Sequence, residues 1–188
     1  YRATDDLRRA GHPDLADKFI EFPKSIHRHD VVDAMYPELL AAARALGNPW
    51  LEVFARHWYS QSLYQRDHAD ALLRHSVETL EFAHRETTEQ CPQSVCAVQD
   101  LCMAYASCDG PAYVDQRLGV TAEAFARINA NWPCYVCLSA EEAAAHVDAG
   151  NLDEARVTLR SRVAAVRAAL GKLNGHDSTV MSKWTVEV

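Results

Sequence analysis

Apolar residues recur along this chain in steps of three and four. Leu152, Ala155, Leu159, Val163, Val166 and Leu170 are spaced by 3, 4, 4, 3 and 4, a continuous stripe along one face of an amphipathic helix. Val114, Leu118, Thr121, Phe125 and Ile128 form a second such stripe, and Leu73, Val77, Leu80 and His84 a third. Ahead of each lies another helical segment with wider apolar coverage: Trp50, Val53, Phe54 and Trp58; Val95, Val98, Leu101 and Tyr105; Val136, Ala140, Ala143 and Val147. Wide coverage predicts helices packed on more than one side, the inner members of stacked helix pairs.

The inner segments are regularly placed. Pro49, Cys91 and Pro133 open them at intervals of 91 − 49 = 42 and 133 − 91 = 42 residues, with proline favoured in a first helical turn. Turn signals follow each one: Arg66-Asp67-His68, Cys108-Asp109-Gly110-Pro111 and Gly150-Asn151. This pattern predicts an all-α chain with one helical-repeat domain over residues 1–170. Its parts are a degenerate N-terminal unit or cap (1–48), repeat units at 49–90, 91–132 and 133–170, and a tail or linker at 171–188. In the N-terminal unit the stripe Val32, Met35, Leu39, Ala42, Leu46 ends at Gly47-Asn48, and Pro37 is expected to kink or restart its helix. Residues 14–22 supply a partner helix, and His27-Arg28-His29-Asp30 marks a helix start. The tail GKLNGHDSTVMSKWTVEV breaks the periodicity and is expected to be disordered.

The run Ala149-Gly150-Asn151-Leu152-Asp153-Glu154-Ala155 resembles the inter-helix turn of a tetratricopeptide repeat. Gly150 suits the left-handed cap, Asp153 and Glu154 suit a helix N-terminus, and Ala155 permits close helix approach. The resemblance spans about residues 49–170 and implies a right-handed superhelical array of antiparallel helix pairs, an α-solenoid of long-repeat type. It also implies a protein or peptide partner held in the groove of the first helices. Carried over position by position, that groove comprises Arg56, Ser60 and Tyr64 beside Val53, then Val98, Cys102 and Tyr105, then Ala144 and Asp148 beside Ala140. Ser139, Ala143 and His146 stand where the family favours Trp, Gly and Tyr, and the Lys and Asn side chains of members that clamp a peptide carboxylate are missing.

Composition narrows the classes. A net charge of −7 opposes binding to a phosphate backbone, so nucleic acid is not the expected partner. The apolar runs are too short and too interrupted to cross a bilayer. A start at Tyr1 without Met or leader suggests a piece of a longer protein. All six cysteines fall in the second half, Cys96 and Cys102 within apolar helical patterns, which favours reduced thiols and a cytoplasmic location. Cys91, Cys96, Cys134 and Cys137 offer an alternative, a four-thiolate zinc site in a thiol- or zinc-dependent regulator, and Cys134-x-x-Cys137 could equally be a redox dithiol. No catalytic motif is recognisable, so no catalytic residue and no obligatory cofactor is assigned. Solenoid ends that lack polar caps allow homo-oligomers.

Overall fold

The structure, a computed structural model, describes residues 2–132 and 134–173. Among them nine α-helices and no strand are found: α1 (Arg2–Arg9), α2 (Pro13–Lys24), α3 (His29–Ala45), α4 (Pro49–Gln65), α5 (Ala69–Ala83), α6 (Gln93–Asp109), α7 (Val114–Arg127), α8 (Tyr135–Asp148) and α9 (Leu152–Leu173), with a 3-10 turn at Pro111–Tyr113 before α7. The expected inner and outer segments of all three predicted units are helices at the expected places. Two details of the N-terminal region differ. α1 carries no long apolar stripe and was not expected, and α3 runs through Pro37 without a break. Residues 174–188, most of the expected tail, lie outside the described residues, as does Pro133.

The main packing partners of each helix lie one or two positions away in chain order. Three core regions follow one another along the chain. Phe19, Phe22, Val32, Leu39, Leu51 and Phe54 fill the space among α2, α3 and α4. Smaller clusters around Val53, Ala83 and Ala97, and around Leu63, Leu72 and Ala104, join α4, α5 and α6. Val95, Val98, Cys102, Ala124 and Leu138 join α6, α7 and α8. α4 and α6 each bury nine of their 17 residues, as inner helices should, whereas over the described side chains of α9, residues 152–171, only Ala155 is buried. Such neighbour-to-neighbour packing is compatible with a helical repeat.

One turn geometry recurs at four connections. After α1, α3, α4 and α8 a residue enters the left-handed region, Gly11 at φ 86°, Gly47 at 60°, Asp67 at 57° and Gly150 at 75°. In every case the following amide reaches back five residues, His12 to Leu7, Asn48 to Ala43, His68 to Leu63 and Asn151 to His146. This is the Schellman closure, which satisfies otherwise orphaned helix carbonyls and turns the chain back at once. Asp67 alone performs it with a side chain that the left-handed region disfavours.

Replacing Asp67 with Gly should therefore stabilise the chain by about 0.5–1 kcal/mol, while Gly150→Ala should cost about 1 kcal/mol. Urea midpoints of the two variants check this, and opposite signs are required.

Candidate functional site

The seam between α4 and α6 is unusually polar. His57 and Gln61, one turn apart on α4, both face Asp100 of α6, whose side chain is fully enclosed. His57 Nδ1 lies 3.1 and 2.9 Å from the two carboxylate oxygens, and Gln61 Nε2 donates to one of them at 2.7 Å. Burying a carboxylate is costly unless it is paired and hydrogen-bonded, and these two groups do both. Burial opposes a charge on His57, but the attraction and hydrogen bond of Asp100 outweigh it and raise the imidazole above its ordinary range. On the opposite flank of α4, Glu52 is gripped by Arg44 and Arg56 at 2.8–3.0 Å. Tyr36, Tyr59 and His75 pack together beside it, the tyrosine rings stacked 4.0 Å apart.

The same carboxylate borders a thiol cluster that begins one turn earlier along α6, at Cys96. The Trp132 indole donates to the Pro92 carbonyl at 3.5 Å and so ties the loop before α8 to the start of α6. Cys134 is the residue that precedes α8 and packs half-buried against the core of Val95, Val98, Cys102 and Leu138. Its thiol interacts with that of Cys96 on α6. That interaction and His57 lower the Cys134 thiol against the opposing effects of burial and Asp100, and Cys96 is raised, first by its interaction with Cys134 and then by burial. Cys137 is exposed, and its partial burial together with Cys134 pushes it up.

Cys91 does not join this group. It packs with Val53, Ala83 and Ala97 on the α4–α5 side of α6, donates to Gln93 Oε1 at 3.4 Å, and is pushed by burial up to about 11. The four-cysteine zinc set is thus divided between two faces of α6. Among the described residues no group of three or more His, Cys, Asp or Glu side chains is placed to hold a metal ion.

A third polar group lies between α7 and α8. Arg117 is buried to 1% exposure and pairs with Asp148, with its Nε left without a hydrogen bond. Glu141 shares this environment. Burial raises its carboxyl to about 7, with Arg117 opposing and Asp100 adding to the shift.

The residues expected to line a peptide groove separate into four environments. Ser60, Val98 and Cys102 are enclosed and offer a partner no surface, because the inner-helix faces that a longer array would leave concave are here pressed against neighbouring helices. Arg56 is committed to Glu52 and lies 5.0 Å from the Phe82 ring, and Asp148 is committed to Arg117. Tyr64 is exposed and Tyr105 is stacked on Tyr113 at 4.7 Å. Ala140 and Ala144 lie in an apolar trough, of about 380 Å³, between α8 and α9 and lined also by Ala143, Val147, Leu152, Ala155, Arg156 and Leu159. A larger cavity of about 960 Å³, at the N-terminal end of α4, is bordered by Phe19, Trp50, Phe54 and Pro92. The His57–Asp100 pair was not anticipated, although its 43-residue separation is within one residue of the 42-residue spacing between Pro49 and Cys91. No family model matches the chain, and comparison with curated proteins and with solved structures gives no match.

Two measurements test these electrostatics. His57 should titrate above 6.5 by histidine NMR, and Asp100→Asn should bring it below that value, since burial then acts unopposed. A raised histidine contributes stability that is complete below the unfolded value and lost as pH rises through the folded one, so this pair favours the acid side of neutrality. Glu141 has the same sign: the folded chain holds the proton between 4.5 and about 7 while the unfolded chain releases it, and stability falls across that window. Glu141→Gln should match the parent below pH 4.5 and be more stable by up to about 3 kcal/mol above pH 7. Denaturation curves at both ends of the window decide it.

Proposed function

We propose that this chain is a protein- or peptide-binding module, built as a short tetratricopeptide-repeat-like solenoid, that receives an amphipathic helix on the uncovered face of α8 and α9. One observation carries the reading. Val136, Val147, Leu152, Val157, Leu159 and Val163 are 42% to 58% exposed, and all of them lie on these two helices. Val136, Ala140 and Val147 share one stripe of α8, and Leu152, Leu159 and Val163 one stripe of α9, with the apolar trough between them. In an array each pair is covered by the next; here the stripe of the last described pair faces outward.

The charges beside the stripe define the partner further. Arg162 is neutralised by Glu142, which grips it at 2.8 and 2.9 Å. Arg156, Arg160 and Arg167 stay exposed along α9, on a chain whose net charge is −7. An apolar stripe with basic flanks suits a helix whose own apolar stripe is flanked by Asp and Glu. None of the described helices is long and apolar enough to cross a membrane. The original groove positions contribute through Ala144, while Tyr64 and Tyr105 lie away from this face.

Selection of a displayed library of helical peptides on the full chain tests the proposal. Enriched peptides should carry apolar residues at helical spacing with acidic flanks. Leu159→Glu and Val147→Glu should each weaken their binding by about tenfold or more, a loss of 1.4 kcal/mol or more, with the melting temperature preserved. Absence of enrichment, or binding indifferent to both substitutions, contradicts the proposal. A dimer that dissociates on Leu159→Glu would assign the face to a second copy and contradict it as well.

A further inference from the structure

We propose that the trough between α8 and α9 is a socket for one aromatic side chain of the partner helix, a Phe or Trp lying against the guanidinium of Arg156, and that the same helix brings an Asp or Glu, three or four positions from that ring, to the same arginine. The inference rests on the docking reading above and adds to it the side chain that anchors the partner.

The trough has the form of a single-residue socket. Val147 and Leu152 flank the turn that joins the two helices, and Leu159 stands about two turns further along α9. These three side chains are 42% to 55% exposed and form the walls, whereas Ala155, one turn beyond Leu152, is buried at the floor with Ala144 beside it. A volume of about 380 Å³ lies near the lower end of the range for ligand pockets, about 300–1,000 Å³. That is room for one large side chain of a helix that itself rests on the walls. Knobs entering holes of this kind are how packed helices interlock, and aromatic residues seated in such pockets carry much of the binding energy of an interface.

Arg156 selects an aromatic ring over an aliphatic group. Among the described residues that line the trough it alone is charged. Two inner seams of the same chain show what a guanidinium does in such a place. Arg162 lies 3.6 Å from the centre of the Phe125 ring and is held by Glu142 at 2.8 and 2.9 Å. Arg56 lies 5.0 Å from the centre of the Phe82 ring and is held by Glu52 at 3.0 and 2.8 Å. Each arginine is shared between a ring and a carboxylate. Arg156 contacts Asp153 of its own helix at 3.3 Å, with the two side chains 69% and 97% exposed. A pair so exposed holds the arginine weakly, so a ring and a carboxylate brought in together and sheltered by the partner displace it. Residues three and four apart on a helix are neighbours, which sets the spacing of the two groups on the partner. Leu would fill the same space without offering a π face.

The test selects, on the full chain, a displayed library of helical peptides of about 15 residues whose apolar stripe is randomised among Ala, Val, Leu, Phe and Trp and whose flanks are randomised among Asp, Glu, Gln and Lys. Expected is enrichment of Phe or Trp at one stripe position, with Asp or Glu three or four positions away, and about a tenfold loss of affinity when that ring is changed to Leu. Ala144→Leu fills the socket and should erase the advantage of the aromatic peptide over its Leu counterpart, with the melting temperature preserved. Arg156→Gln should weaken the aromatic peptide about two- to fivefold more than its cyclohexylalanine analogue, which has the same bulk and no π face. Enriched peptides without an aromatic preference, an aromatic advantage that survives Ala144→Leu, or equal weakening of the two analogues by Arg156→Gln would overturn the socket and leave the docking reading standing. No enrichment at all would overturn both.

Discussion

Asp100 sets the terms for the middle of this protein. Its carboxylate is fully enclosed between α4 and α6 and is held by His57 and Gln61 at hydrogen-bond distance. An unpaired carboxylate there would cost several kcal/mol, so the rotation and height of α4 against α6 are fixed by the need to keep both partners in place. A purely apolar seam would tolerate more sliding. The pairing also favours the protonated form of His57, which bears in turn on the thiol of Cys134.

Elsewhere the two ends of the chain of helices contrast. At the N-terminal end Phe19, Phe22 and Leu39 are completely buried, each contributing about 1.5–3 kcal/mol by area. At the other end α9 rests on α8 through Ala155 and the Glu142–Arg162 pair, with Arg162 lying 3.6 Å from the Phe125 ring. Small residues such as Ala143 and Ala155, which line the trough between them, let these two helices approach closely, and their larger apolar side chains are left to the outside. Apolar surface left open on a helix pair is surface available for association.

Much of the architecture was legible in the sequence because it is set by local chemistry. Helix starts at Pro49 and near Cys91 and Pro133, and turns at Asp67 and Gly150, follow from proline geometry and left-handed caps that depend on a few adjacent residues. Pro37 does not restart the helix: α3 continues through it, packed by Val32 and Leu39 on the core side, so tertiary burial outweighs one lost hydrogen bond. The candidate site was less legible. The resemblance placed Ser60, Val98 and Cys102 in a groove, but whether a groove is open depends on what stacks against it, which no local pattern records. The His57–Asp100 pair joins residues 43 positions apart, close to the 42-residue spacing of Pro49 and Cys91. Comparing polar residues at equivalent heights of α4 and α6 would have exposed it.

The central claim is that α4 and α6 form a closed interior while the outer face of α9 remains open. Amide hydrogen exchange of the dilute free chain tests it most directly. The account predicts that α4 and α6 exchange only through global unfolding, and that α9 exchanges faster by local opening. Protection of α9 equal to that of α6 would mean that its apolar stripe is already covered, and would contradict the account.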